Sequence, residues 1–374
     1  MPKKDSRIFG LDCIRALAIC LVLQSHCSLL LFPEMSNTLL DGLRLMGTVG
    51  VDLFFVLSGY LIGGILIKTL NDNKHLKWSD LFRFWKRRWL RTLPNYYLIL
   101  IINIVIALLL DTTLPKNLGS YLFFLQNFTV GHPDFFTEAW SLSIEEYAYI
   151  LLPFLLFTAV LLFQNKKRKK VFFVVSLSVI VVLSFFKMDF NFNTVVNNYY
   201  DWSSSFRKVV IFRMDSIYLG FLAVFVIKSY ALIIKKYKTI LFLLGLLIFV
   251  ALHLSMFIFN IGPDSYLWFY SFLYLQVISI SLLFMFPYAI ELRGSRYLKS
   301  IIEFISTRSY AMYLVNYSLI LLNMQLLTDK IGLGIWTKFS ALIIFLFLTL
   351  TISNFIYLYF EKPIMSYRDK KFPR

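Results

Sequence analysis

Arg15 and His26 stand eleven residues apart in one apolar run, IRALAICLVLQSH. Eleven steps of 100° turn a helix about 20° past three full turns, so both side chains lie on one face, about 16 Å apart along the axis. An imidazole so placed can act as general base towards a hydroxyl, or take an acyl group itself. A guanidinium on the same face can hold an anion or a developing oxyanion. The plainer alternative is that Arg15 reaches lipid headgroups while His26 closes a hydrogen bond between helices.

Four further segments place polar groups within or beside apolar sequence. GTVGVDLFFVLSGYLIGG, residues 47–64, carries Asp52 and Ser58, both candidate substrate-binding groups, among glycines that allow close helix approach. A carboxylate at that depth needs a cation or water. LFRFWKRRWLRTLPNYY, residues 81–97, places Arg87, Arg88 and Arg91 on adjoining helix positions. Such neighbours repel unless something anionic joins them, and the arginine fork suits phosphate; the alternative is an anchor for lipid headgroups. WSLSIEEYAYILLP, residues 140–153, holds Glu145 and Glu146. They point about 100° apart, so one can face water while the other faces protein and orients an imidazole or accepts a proton. FRMDSIYLG, residues 212–220, adds Arg213 and Asp215, read as a structural charge pair. His75 and His132 in loops, and His253 in an apolar stretch, are expected to be non-catalytic.

The elements that must position these groups are membrane spans. The chain has 374 residues, 59% of them hydrophobic, with a mean hydropathy of +0.70, above what a soluble domain carries. Its net charge of +17 lies mostly between the apolar runs, the pattern of an oriented membrane protein rather than of a nucleic-acid binder. The hydropathy predicts ten spans: 11–31, 45–67, 94–110, 140–163, 171–186, 208–227, 239–259, 267–290, 304–327 and 335–360. With both termini cytoplasmic, the inner segments hold 28 of the 38 Lys and Arg residues, as the positive-inside rule requires. Residues 118–130, LGSYLFFLQNFTV, are too short to cross and read as a re-entrant or interfacial piece on the outer side.

The first run is expected to persist as a span, since Arg15 interrupts it and no cleavage site follows. Cys13, Cys20 and Cys27 lie seven apart on one helix, too far from one another to pair, and read as small packing residues. No repeat and no soluble domain emerges, so residues 1–374 read as one membrane domain. No metal-ligand spacing or phosphate-binding loop is present, so neither a metal nor ATP is expected.

Together these segments resemble the acyltransferase-3 family of integral membrane acyltransferases. LDCIRALA with His26 is similar to its Arg-x10-His opening. GVDLFFVLSGYLI, with Tyr60 where Phe is usual, RRWLR, WSLSIEEY, RMDSIYLG, SYAMYLVN and FEKP follow in family order through nearly the whole chain. One position departs: Asn316 stands where many members have histidine, and an amide cannot relay protons.

The resemblance implies an all-α polytopic membrane protein of about ten helices with the acyltransferase-3 fold, in a bacterial cytoplasmic (inner) membrane. It implies acetyl transfer from cytoplasmic acetyl-CoA to a hydroxyl of a lipid-linked or surface glycan: O-antigen, capsule, exopolysaccharide or peptidoglycan. Membrane lipids are the other expected partners, nucleic acid is not one, and homo-oligomers stay open. Many relatives carry an extracytoplasmic hydrolase-like domain; this sequence ends in a basic tail and is expected to act alone or with a separate partner. In the expected mechanism Arg88 and Arg91, with Arg87, hold the phosphates of acetyl-CoA. The pantetheine arm passes Arg15, which binds it or the thioester oxyanion, to reach His26. His26 acts as general base or acyl carrier, and Glu145, near the outer side, orients it or the acceptor. Residues 187–201, rich in Asn and Tyr, read either as a sugar-facing loop or as an ordinary solvated one. An amino-group acceptor, a transporter or flippase, and a non-catalytic scaffold are the competing readings.

Overall fold

Hydrocarbon offers peptide groups no hydrogen-bond partner, so apolar segments of this length must close their bonds within helices. The computed structural model describes residues 7–33, 35, 37–72, 76–163, 168–331 and 335–373; His75, Lys166 and Lys167 lie outside them. Among the described residues there is no strand, and ten helices are long and apolar enough to cross a membrane. They are α1 (Phe9–Leu31), α2 (Leu39–Asn71), α3 (Trp78–Leu109), α4 (Ala139–Leu162), α5 (Arg168–Asn193), α6 (Val210–Ser229), α7 (Ala231–Ile258), α8 (Leu267–Ile290), α9 (Arg296–Leu327) and α10 (Thr337–Lys371).

Helix α1 packs against α2 and α9, α2 against α6, α4 and α6 against α5, and α10 against α9. The first and last described segments lie at one end of the bundle, where Arg7 approaches Glu303 at 3.8 Å and Arg87 pairs with Asp369 at 2.8 Å. Helix α7 sits at the periphery, with Gly245 its only buried residue. Helices α2 and α6 cross closely, with a glycine on each side of the contact. A Cβ on Gly59 would lie 2.0 Å from the Ile217 carbonyl oxygen, and one on Gly220 2.4 Å from that of Val56. Backbone stands in the way on both sides, so nothing flexible can yield. Gly59→Ala is therefore expected to destabilise the protein by about 1–3 kcal/mol, read as a lowered Tm in detergent; an unchanged Tm would mean that the crossing is looser.

Several boundaries differ from the hydropathy reading. Helix α3 starts at Trp78, sixteen residues before the apolar stretch, and carries Pro94 inside it. Its arginines thus lie on a helix continuous with the span, Arg87 and Arg88 partly buried and Arg83 and Arg91 exposed. Helix α5 runs on to Asn193, so the first part of 187–201 is helix and Lys187 is buried. Residues 118–123 form a short 3-10 helix whose Tyr121 is buried, too short to cross.

The charged pairing also differs. Arg213 and Asp215 do not pair with each other: two residues apart, they point about 200° apart on a helix. Arg213 instead binds the Asp52 carboxylate and the Ser216 hydroxyl. Asp215 takes Lys187 at 2.5 Å and the Gln276 amide at 2.6 Å. Asp52, expected at the substrate, is 2% exposed and serves as the counter-ion that ties α2 to α6.

Among the described residues there are four π-helical stretches: Ser203–Arg207 ahead of α6, and Tyr270–Tyr274, Asn316–Leu321 and Tyr357–Glu361 within α8, α9 and α10. Each turns at least one polar side chain inward, namely Arg207, Ser271, Asn316 and Glu361, all buried. Such widened turns recur at functional sites because they rotate the register of everything beyond them.

Candidate active site

At the end of the bundle that holds the first and last described segments, Arg15 is anchored rather than free. The Asp12 carboxylate accepts from Arg7 at 2.6 and 2.9 Å, from the Ser306 hydroxyl at 2.6 Å and from Arg15 at 3.4 Å. Arg15 also donates to Ser306 at 3.2 Å, which ties α1 to α9. Asp12 lies three residues before Arg15, a helical neighbour by spacing alone.

Helix α3 contributes three arginines with three different fates. Arg87 points away to the C-terminal segment, pairing with Asp369 at 2.8 Å and donating to the Phe372 carbonyl. Arg88 is held inside: it donates to Glu145 at 3.0 Å and stacks on the Tyr149 ring, 4.1 Å from its centroid. The Tyr149 hydroxyl donates to Glu145 at 2.9 Å and shares a short hydrogen bond with the Ser58 hydroxyl. Ser58 thus braces this network. Arg91 is exposed and makes no hydrogen bond or ion pair among the described residues. Glu361 and Arg368 of α10, Arg88 and Arg15 all lie within its electrostatic reach, so the exposed guanidinium sits among charged groups.

The two glutamates do not divide between water and protein as their 100° offset suggests. Glu145 is taken by Arg88, and Glu146, 4% exposed, accepts from the Thr92 hydroxyl at 2.7 Å. Both face α3, whose polar side chains recur one turn apart at Arg88 and Thr92. Glu145 therefore does not reach His26.

The partner of His26 is Asn316, at the start of the π stretch in α9. The two meet in a short hydrogen bond between Nδ1 and the amide oxygen. The Tyr317 ring lies against the imidazole, 4.9 Å between centroids and tilted by 48°. His26 is half-buried, and its Nε2 makes no hydrogen bond among the described residues. Close by in sequence, Ser318 donates to Glu138 through its hydroxyl at 2.6 Å and its amide at 3.3 Å. The other oxygen of Glu138 is enclosed without a partner among the described residues, and burial pushes this carboxyl, just ahead of α4, up to about 7. Sequence reasoning missed Glu138, Ser306 and Glu361, whose partners come from distant helices. Tyr149 is different, since its i+4 spacing from Glu145 was legible.

The arrangement joins an open guanidinium on α3 with an anchored arginine and an imidazole with one free nitrogen on α1, the last two partnered by α9. Among the described residues, no three His, Cys, Asp or Glu side chains gather as a metal site. A guanidinium can hold an anion, and an imidazole with a free nitrogen can act as a base or a nucleophile. The chain belongs to the acyltransferase domain family, whose pattern matches residues 8–358, and its ten long apolar helices make it a multi-pass membrane protein.

Staphylococcus aureus O-acetyltransferase OatA is 27% identical over 97% of this chain and 58% of its own length. Bacillus subtilis YrhL, provisionally named a peptidoglycan O-acetyltransferase, is 33% identical over 46% of this chain and 27% of its own. A further S. aureus protein, SACOL0978, provisionally named an O-acetyltransferase, is 29% identical over 85% of this chain and 51% of its own. The chain spans about half the length of the curated relatives it matches along most of its sequence. No solved structure matches it. Family and helical architecture thus agree with the sequence reading.

Proposed function

We propose that the protein moves an acetyl group from acetyl-CoA to a hydroxyl of a cell-envelope glycan across the bacterial cytoplasmic membrane. The observation that carries this reading is the pairing of an open cation, Arg91, with an open imidazole nitrogen, His26 Nε2, in one helical bundle. The relatives' names, all O-acetyltransferases and one of them for peptidoglycan, favour a peptidoglycan sugar over O-antigen, capsule or exopolysaccharide. The end of the bundle holding the first and last described segments is the cytoplasmic one, because 28 of the 38 Lys and Arg residues fall in segments on that side.

Arg91 then takes a phosphate of acetyl-CoA, since Arg87 and Arg88 are already engaged. Arg15, near Arg91 and tied to Asp12 and Ser306, lines the way inward. In a direct transfer, His26 Nε2 takes the acceptor hydroxyl proton as the oxygen bonds to the thioester carbon. The carbon–sulfur bond breaks, and the proton passes to the departing thiolate. In a relay, Nε2 itself attacks, the carbon–nitrogen bond replaces carbon–sulfur, and CoA leaves as the thiol after taking a proton. The sugar oxygen then takes the acetyl group and its proton is released. The relay delivers acetate to an exported sugar without moving CoA.

The test is acetate on muropeptides and surface polysaccharides from a deletion host, by mass spectrometry, complemented with wild type or His26→Ala at equal membrane levels. Acetate on muropeptides with wild type only supports the reading; acetate on another polymer corrects the acceptor. No acetate on any polymer sinks it in favour of transport or another acceptor. In proteoliposomes, Arg91→Ala is expected to raise the KM for acetyl-CoA by about 10–100-fold, the loss of one charge-assisted hydrogen bond, with little change in kcat. Arg87→Ala should do much less, and equal effects would place the donor elsewhere.

A further inference from the structure

We infer that Asn316 is a positioning residue that holds His26 in the tautomer with its hydrogen on Nδ1, leaving the Nε2 lone pair as the acting atom. This rests on the reading of His26 as the group that meets the acetyl donor. The argument follows from what an amide can and cannot do. Its nitrogen only donates and its oxygen only accepts. Both N–H groups of Asn316 are spent on main-chain carbonyls, at 2.6 Å to Met312 and 2.9 Å to Tyr313. Turning the amide over would set its oxygen against two carbonyl oxygens, so the orientation is determined by the network. The oxygen therefore faces the imidazole, and the short contact to Nδ1 requires that Nδ1 carry the hydrogen. In the neutral ring the lone pair then resides on Nε2, the nitrogen without a partner.

The surroundings hold this arrangement in place. Asn316 is fully buried and opens the π stretch Asn316–Leu321. Tyr317 lies against the imidazole at 4.9 Å, and Ser318 is pinned to Glu138 through both its amide and its hydroxyl. Three consecutive residues of one widened turn thus fix the ring nitrogen, the ring plane and the turn itself. A histidine at position 316 could exchange protons with His26 and let it change tautomer. The amide cannot, so every proton or acyl group that His26 handles must enter and leave through Nε2.

The chain contains four histidines, so 15N-histidine labelling of the full protein in lipid nanodiscs gives a spectrum simple enough to assign, with His26→Ala identifying the signal. Wild type is expected to show a protonated Nδ1 and an unprotonated Nε2. In Asn316→Leu the hydrogen should move to Nε2 in most molecules. Its kcat should fall on the order of 10²-fold, as when a catalytic histidine loses the group that sets its tautomer, with the KM for acetyl-CoA within about twofold, since an uncharged group remote from the donor's anion is removed. Asn316→His, whose ring nitrogen can accept the hydrogen bond but can also return a proton, should recover much of the rate while its spectrum shows the hydrogen divided between both nitrogens of His26. A wild-type spectrum with the hydrogen on Nε2 overturns the inference without any variant. So does an Asn316→Leu protein that keeps the wild-type tautomer. Should wild type transfer no acetate, the proposed function fails, while the spectrum still decides this point.

Discussion

His26→Ala is expected to lower acetyl transfer by about 10²–10⁴-fold, the contribution of a positioned acid–base group, with normal amounts of folded protein in the membrane. The fold should tolerate the change. The ring is half-buried and gives up one hydrogen bond, while Asn316 keeps both of its bonds to Met312 and Tyr313. The stability cost should therefore stay near 1–2 kcal/mol, one bond plus some packing. The measurement is CoA thiol release and acetate on the acceptor in proteoliposomes matched for protein. A variant with wild-type turnover would falsify the role assigned to His26 and leave the family assignment untouched. The same preparation separates the two chemical routes. Wild type given labelled acetyl-CoA without acceptor should retain acid-labile acetate on the protein if the relay operates, and none if transfer is direct.

The second large effect concerns stability. Asp52→Ala should destabilise the protein by about 3–5 kcal/mol, because it strands Arg213 without its counter-ion in the interior. Both partners are essentially enclosed, with side chains 2% and 0% exposed. Replacing the pair together, as Asp52→Leu with Arg213→Met, should recover most of that loss, since two apolar groups need no compensation. Thermal unfolding in detergent, with yields from membranes, reads both. If Asp52→Ala instead keeps its Tm and raises the KM of the acceptor, Asp52 belongs to substrate recognition after all and the structural assignment is wrong.

Much of the site was legible along single helices and little of it between them. The offset between Arg15 and His26 is a property of one helix, as are the spacings from Asp12 to Arg15 and from Glu145 to Tyr149. Asn316 was marked as a departure, but its partner His26 lies 290 residues away. Arg88 and Arg91 looked equivalent from spacing. One met Glu145 and the other open space, because α4 covers only one side of α3. The start of α3 was misplaced because hydropathy registers lipid-facing residues. The helix itself continues through Trp78–Leu90 on aromatic and charged residues, several of them exposed, whose charges lower the hydropathy of the stretch.

The sequence by itself determined that this chain is a ten-helix membrane protein of the acyltransferase family. Hydrocarbon thickness sets helix length, charge sets the connectors, and the family segments follow in order. Only the tertiary structure decided which of the polar groups remain available. Inside a membrane an ionisable side chain must find a partner or water, and the identity of that partner depends on which helices meet. That contact gave Asp52 to Arg213 and Glu145 to Arg88, and it left Arg91 and His26 Nε2 open.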